Sequence, residues 1–204
     1  MNWEMFAAFL LITLLLVLTP GPIVTLVIAT GASQGTRAAL VTVAGTTTGN
    51  AVLIAAIALG LHFIIQHAAY LFEIMRWTGA AYLIWLGVQA WRGASKPQAL
   101  APPRGRVHFV RGFLVAISNP KTIAFFTAFL PQFVDPALPA AHQLVIMCTV
   151  SVLLAGATDA GWAVMAGAGR AFFLAPSRTK WLARISGVAL IGGGIWLSLA
   201  RRPG

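Results

Sequence analysis

The chain has 204 residues, 59% of them hydrophobic and 9% charged, with a formal net charge of +10. A soluble domain carries about 25% charged residues, so this composition excludes a water-facing globule, and cations placed between long apolar runs exclude a nucleic-acid-binding face. The single cysteine, Cys148, excludes an intramolecular disulfide.

The first four residues, Met1-Asn2-Trp3-Glu4, lack the cationic start of a secretory signal. The first apolar run is therefore expected to be a retained membrane span, from about Met5 to Ala29, interrupted by Thr19-Pro20-Gly21-Pro22. About 20 helical residues cross a bilayer core. A short loop, Gly31 to Arg37, is expected next, then span two from about Ala38 to Leu61. A weakly polar connection from His62 to Tyr70 leads into span three, about Leu71 to Trp91. The stretch Arg92 to Arg111 is rich in proline and cations, as a water-exposed linker would be. Span four is expected from about Gly112 to Phe133 and span five from about His142 to Ala166, with a turn at Asp135, Pro136 and Pro139 between them. Span six covers about Ile185 to Ala200.

This describes an all-α integral membrane protein of six transmembrane helices, one transporter domain over residues 1–204. The loops at Arg37, 92–111 and 170–184 hold ten cations, against three (Arg76, Arg201, Arg202) on the other side. The positive-inside rule places the ten in the cytoplasm and both termini outside, as a multi-pass protein of the bacterial inner membrane.

The two halves align. Val17-Leu18-Thr19-Pro20 matches Ile117-Ser118-Asn119-Pro120 at an offset of 100, and Gly49-Asn50 matches Thr158-Asp159 at 109. Gly79-Ala80-Ala81-Tyr82-Leu83 matches Gly187-Val188-Ala189-Leu190-Ile191 at 108, with the change of offset falling near the Pro131 to Ala141 loop. Three spans per half means that the second half enters the membrane inverted. The expectation is a 3+3 inverted repeat with helices 1 and 4 broken, residues 1–91 and 112–204 flanking the cytoplasmic linker 92–111. Secondary transporters are built so, with the solute near the midplane.

Candidate site residues are polar or helix-breaking groups at membrane depth. Thr19, Pro20, Gly21 and Pro22 interrupt span one, freeing backbone groups that could meet a carboxylate. Asn119, Pro120 and Lys121 form the matching break in span four. Lys121 and Asp159 are opposite charges on adjacent spans, each costly unless partnered, and their pairing is expected. Asn50 lies where the repeat puts Asp159. Thr46, Thr47 and Thr48 are expected to bond back to their own helix, and Gly45 and Gly49 to serve close helix packing. The four histidines lie at loops or span ends without metal-ligand spacing, and no catalytic triad or phosphate loop occurs, so neither an enzyme nor a cofactor or metal is expected.

Leu18-Thr19-Pro20-Gly21-Pro22, Ala32-Ser33-Gln34-Gly35, Gly45 and Gly49, then Trp77-Thr78-Gly79-Ala80-Ala81-Tyr82-Leu83 and Gly87, resemble the first half of the LysE/RhtB amino-acid exporters. Asn119-Pro120-Lys121, Phe125-Phe126 and Phe129-Leu130-Pro131-Gln132-Phe133 resemble the second half. The resemblance implies about six hydrophobic segments and export of amino acids at the expense of the proton gradient. Many members carry an aspartate where Asn50 stands, so the proton-coupling role falls to Asp159 and a neutral solute is favoured over a dibasic one. The expected partners are a small amino-acid-like solute, protons and the lipid bilayer, and glycine faces remain on which a homodimer could pack. The alternative reading is an inorganic-cation exporter of the same architecture, which would need several ligands converging at midplane.

Overall fold

The computed structural model describes residues 2–67 and 107–169 continuously, together with helical positions at 77, 78, 80, 81, 84, 85, 88, 91 and 92 and at 181, 184, 188, 191, 192, 195, 198 and 199. Helix α1, Trp3–Leu18, starts at an N-cap: the Asn2 side chain accepts from the N–H groups of Glu4 and Met5. It stops where Pro20 removes a backbone donor. Helix α2, Pro22–Gln34, has Pro22 in its first turn, where a missing N–H costs nothing. The two are bent by 45° and together form one apolar unit long enough to cross a membrane.

The loop expected from Gly31 to Arg37 shrinks to one residue, Gly35, between α2 and α3, Thr36–His67. Gly35 has φ +92°, a conformation glycine adopts without steric cost, so a single residue turns the chain. Helix α3 also runs on to His67, through part of the connection expected after Leu61.

Helix α4, Val107–Ile117, begins inside the stretch read as linker, and Arg92 is also helical, so the linker is shorter than 92–111. A break at Ser118-Asn119 leads to α5, Pro120–Ala128, and a 3-10 turn, Leu130–Phe133. This second pair is bent by 41°. Helix α6 is Ala140–Ala168. Among the described residues, two helices are long and apolar enough to span a membrane, or up to four if each bent pair is one span. Spans three and six fall largely outside the described residues, as do the linker and the Gly79–Leu83 and Gly187–Ile191 match.

Helix α3 packs on α4, α6 and α2, while α6 also takes α2 and α1. Glycines set the α3–α4 spacing. A Cβ at Gly45 would strike the carbonyl of Phe109, and one at Gly112 the carbonyl of Thr42. Close backbone approach of this kind replaces the hydrophobic drive that lipid cannot supply. Leucines and valines such as Leu11, Leu15, Val52, Leu59, Val145 and Leu153 point outward, an apolar coat suited to acyl chains.

Two apolar clusters lie on either side of a polar layer. One contains Phe9, Phe125, Phe129, Phe133, Leu144 and Met147. In it the Phe125 and Phe129 rings stack at 4.8 Å and Phe9 meets Phe133 edge-on at 5.6 Å. The other contains Ile23, Val27, Ala39, Val43, Ala116 and Ala163. Along α6 the order is Met147, then Ala155 and Asp159, then Ala163, with about 1.5 Å of rise per residue. The turn before α6 is fastened by Gln143. Its side-chain oxygen accepts from Asp135 N at 3.0 Å, and its amide donates to the carbonyls of Asp135 and Leu138 at 3.0 and 3.2 Å.

Candidate functional site

Both helix breaks open onto one small cavity. Gly21, Ile23 and Val24 line it from the first break, Asn119, Lys121 and Thr122 from the second, Asn50 from α3, and Ala155 and Asp159 from α6. Of the nine residues expected at the site, Gly21, Asn50, Asn119, Lys121 and Asp159 meet here. Thr19, Pro20 and Pro120 belong to the breaks without lining it, and Pro22 is exposed.

The two breaks differ in chemistry. At the second, Asn119 caps α5: its side-chain oxygen accepts from Lys121 N at 3.2 Å, and its amide donates to Thr122 Oγ1 at 2.8 Å. At the first, Gly21 occupies the N-cap of α2 and supplies no side-chain hydrogen bond. The first-turn N–H groups of a helix have no partners within it and sit at the positive end of its dipole. The α2 N-terminus thus presents Ile23 and Val24 to the cavity uncapped.

Lys121 joins the breaks. Its ammonium donates to the carbonyls of Leu16 at 2.6 Å and Thr19 at 2.5 Å, the open C-terminal end of α1. A cation there also meets the negative end of that helix dipole. The side chain lies across Gly21, where a Cβ would come 3.1 Å from Lys121 Cδ and 3.5 Å from Nζ. Glycine at 21 makes the room that Lys121 fills.

Asp159 is 4% exposed. The Thr46 hydroxyl lies 3.4 Å from Asp159 Oδ2 and 3.1 Å from the carbonyl of Val43 on its own helix. The expected pairing of Lys121 with Asp159 is corrected: among the described residues no ion pair or hydrogen bond joins them directly, because the ammonium is drawn to the α1 carbonyls. They share the cavity and interact through it. Asn50 is 5% exposed, and its Oδ1 has no hydrogen-bond partner among the described residues. A buried polar atom without a partner is costly, so Asn50 is an acceptor held open.

The cavity measures about 40 Å³, room for water and far below the 300 Å³ or more of a typical small-molecule pocket. The polar groups are assembled with the walls closed on them. Among the described residues no three of His, Cys, Asp and Glu converge as a metal site would require.

Sequence reasoning missed Thr46. A threonine in a membrane helix ordinarily bonds back to its own turn, which Thr48 does onto Ala44, and nothing local marked Thr46 as reaching a second helix. It also missed the cap at Asn119, for which a signal existed: Asn ahead of Pro at a helix start.

A family model described as "LysE type translocator" matches residues 14–201. The homoserine/homoserine lactone efflux protein of Salmonella typhimurium is 34% identical over 98% of this chain and 99% of its own length. The threonine efflux protein of the same organism is 30% identical over 97% of this chain and 98% of its own. An uncharacterized membrane protein of Vibrio cholerae is 28% identical over 98% of this chain and 100% of its own. No solved structure matches the chain.

Proposed function

From the premise that the chain belongs to the LysE type translocator family, we propose that it exports a small neutral amino acid or close derivative from the bacterial cytoplasm across the inner membrane, in exchange for protons. The carrying observation is the convergence of an uncapped helix N-terminus, a buried ammonium, a buried carboxyl and an open amide oxygen on one cavity between two broken spans. An amino acid is complementary to that set. Its carboxylate takes the N–H groups at the start of α2, within reach of Lys121, and its ammonium faces Asn50 and Asp159. Relatives named for homoserine and threonine efflux favour this cargo. An inorganic cation has less support, since one acid beside a lysine is a poor set of ligands.

In this reading the cavity must widen before a solute enters. The aromatic cluster around Phe125 and Phe129 closes one side, the small-residue packing around Ala39 and Ala163 the other, and loosening them in turn gives alternating access. Two contacts support an inverted repeat. The offset of 100 pairs Gly21 with Lys121, and those two residues touch. The offset of 109 pairs Thr47 with Gly156, and a Cβ on Gly156 would lie 3.0 Å from Thr47 Oγ1. Contacts between equivalent positions are what a two-fold axis through the cavity produces. Asp159 carries the proton, Asn50 being unable to. The cation-rich loops face the cytoplasm and both termini the outside.

The test is flux from proteoliposomes under an imposed pH gradient, with labelled threonine, homoserine, valine and lysine. Gradient-driven movement of neutral amino acids over lysine is expected. Flux no greater than through protein-free vesicles for every solute would overturn the reading.

A further inference from the structure

Resting on the exporter reading above, the geometry points to Ala155 as a specificity-determining position: its lack of a hydroxyl keeps the Asn50 oxygen open for a hydrogen-bond donor of the solute. The offset of 109 that pairs Asn50 with Asp159 also pairs Thr46 with Ala155 and Thr47 with Gly156. Helices α3 and α6 meet at the last of these pairs. Next to Thr47, Thr46 on α3 reaches across to Asp159, about one turn beyond Gly156 on α6. The two-fold mate of that bond would run from position 155 on α6 to Asn50 on α3. Position 155 is alanine, buried and lining the cavity, and the Asn50 oxygen is correspondingly orphaned.

The halves therefore divide the work. Asp159 has a donor within the protein, the Thr46 hydroxyl. Asn50 has none and gains one only from what enters the cavity. A solute without a donor at that point leaves a buried acceptor unsatisfied, and sites that leave buried polar groups unpaired reject such ligands strongly. The donor is an N–H or O–H of the solute, from its ammonium or from a side-chain hydroxyl.

The experiment installs the missing donor. Ala155→Ser adds a hydroxyl at little cost in volume, and Ala155→Cys adds a slightly larger group that donates weakly. Ala155→Ser is expected to raise the half-saturating solute concentration about five- to tenfold, the worth of one hydrogen bond, with maximal flux within about twofold. Ala155→Cys, larger than serine but a weaker donor, is expected to raise that concentration clearly less than serine does, which separates hydrogen bonding from crowding. In an Asn50→Ala background the serine is expected to lose its effect, the signature of direct coupling. Flux is normalised to protein recovered in the vesicles. Running the series with threonine and with valine names the donor: an effect confined to threonine assigns the hydroxyl, and an equal effect assigns the ammonium. Equal behaviour of the serine and cysteine variants, or a serine effect that persists without Asn50, would overturn the inference while wild-type flux leaves the exporter reading standing. No flux in wild type would overturn both.

Discussion

The break at Pro20 and the break at Pro120 are alike in backbone and opposite in chemistry. Each separates two helices at a proline, and the pairs are bent by 45° and 41°. At the second break Asn119 satisfies the helix start and Lys121 projects a cation. At the first no side-chain hydrogen bond caps the helix among the described residues, and Gly21 makes way for that cation. One half supplies the charge and the other receives it. Two identical breaks would either bring two lysines together or leave neither end of α1 and α2 served. On the exporter reading proposed above, that asymmetry suits a zwitterion, which has two unlike ends.

Asp159 gives the largest expected effect, because its counterpart Asn50 cannot take over its charge. Asp159→Asn makes the two positions alike. Gradient-driven efflux from proteoliposomes is expected to fall to the level of empty vesicles, while exchange of labelled for unlabelled solute persists. Wild-type rates for the gradient-driven arm would remove the proton role from this residue.

Lys121→Met comes next. It leaves the carbonyl of Thr19 without its donor in an apolar setting, and that of Leu16 with only the Thr19 N–H at 3.2 Å, a loss of about 1–3 kcal/mol. Both thermal stability in detergent and transport are expected to drop. A variant that loses transport at unchanged melting temperature would show that Lys121 serves the solute without bracing α1.

How far these differences are visible in the amino-acid sequence depends on whether a signal is local. The breaks were legible because proline and glycine restrict the chain where they stand, and Lys121 and Asp159 stood out as charges in apolar runs. Close packing at Gly45 and Gly49 followed from residue size. The partners were not legible. Backbone carbonyls at Leu16 and Thr19 look like any others, and the hydroxyl that meets Asp159 comes from Thr46, 113 residues away. Loop lengths were overestimated for the same reason. Ser33 and Gln34 look like loop, yet the Ser33 hydroxyl bonds to the carbonyl of Ala29 and the helix continues to Gln34.

Gly21→Ala tests the receiving side of the pair. The added methyl would sit 3.1 Å from a methylene of Lys121, near enough to displace a flexible side chain without unseating backbone. Gly45→Ala meets the carbonyl of Phe109 instead, where only a shift of α4 relieves the clash, at about 1–3 kcal/mol. Thermal unfolding is therefore expected to show the larger loss for Gly45→Ala. Transport per folded molecule is expected to show the larger loss for Gly21→Ala. Equal profiles for the two would mean that the glycine at the break serves packing alone.

The smallest effect is expected at Asn119, the side-chain cap that the first break lacks. Asn119→Ala removes the acceptor for Lys121 N and the donor to Thr122, costing about 1 kcal/mol as helix caps do. Asn119→Ser keeps the cap and loses only the bond to Thr122, so it is expected to recover most of that stability. If Asn119 touches the solute as well as the helix, the half-saturating concentration rises in both variants, and serine does not rescue it. If it is a cap alone, that concentration follows stability, moving with alanine and returning with serine. The uncapped start of α2 would then be the one helix terminus of the pair left for the cargo.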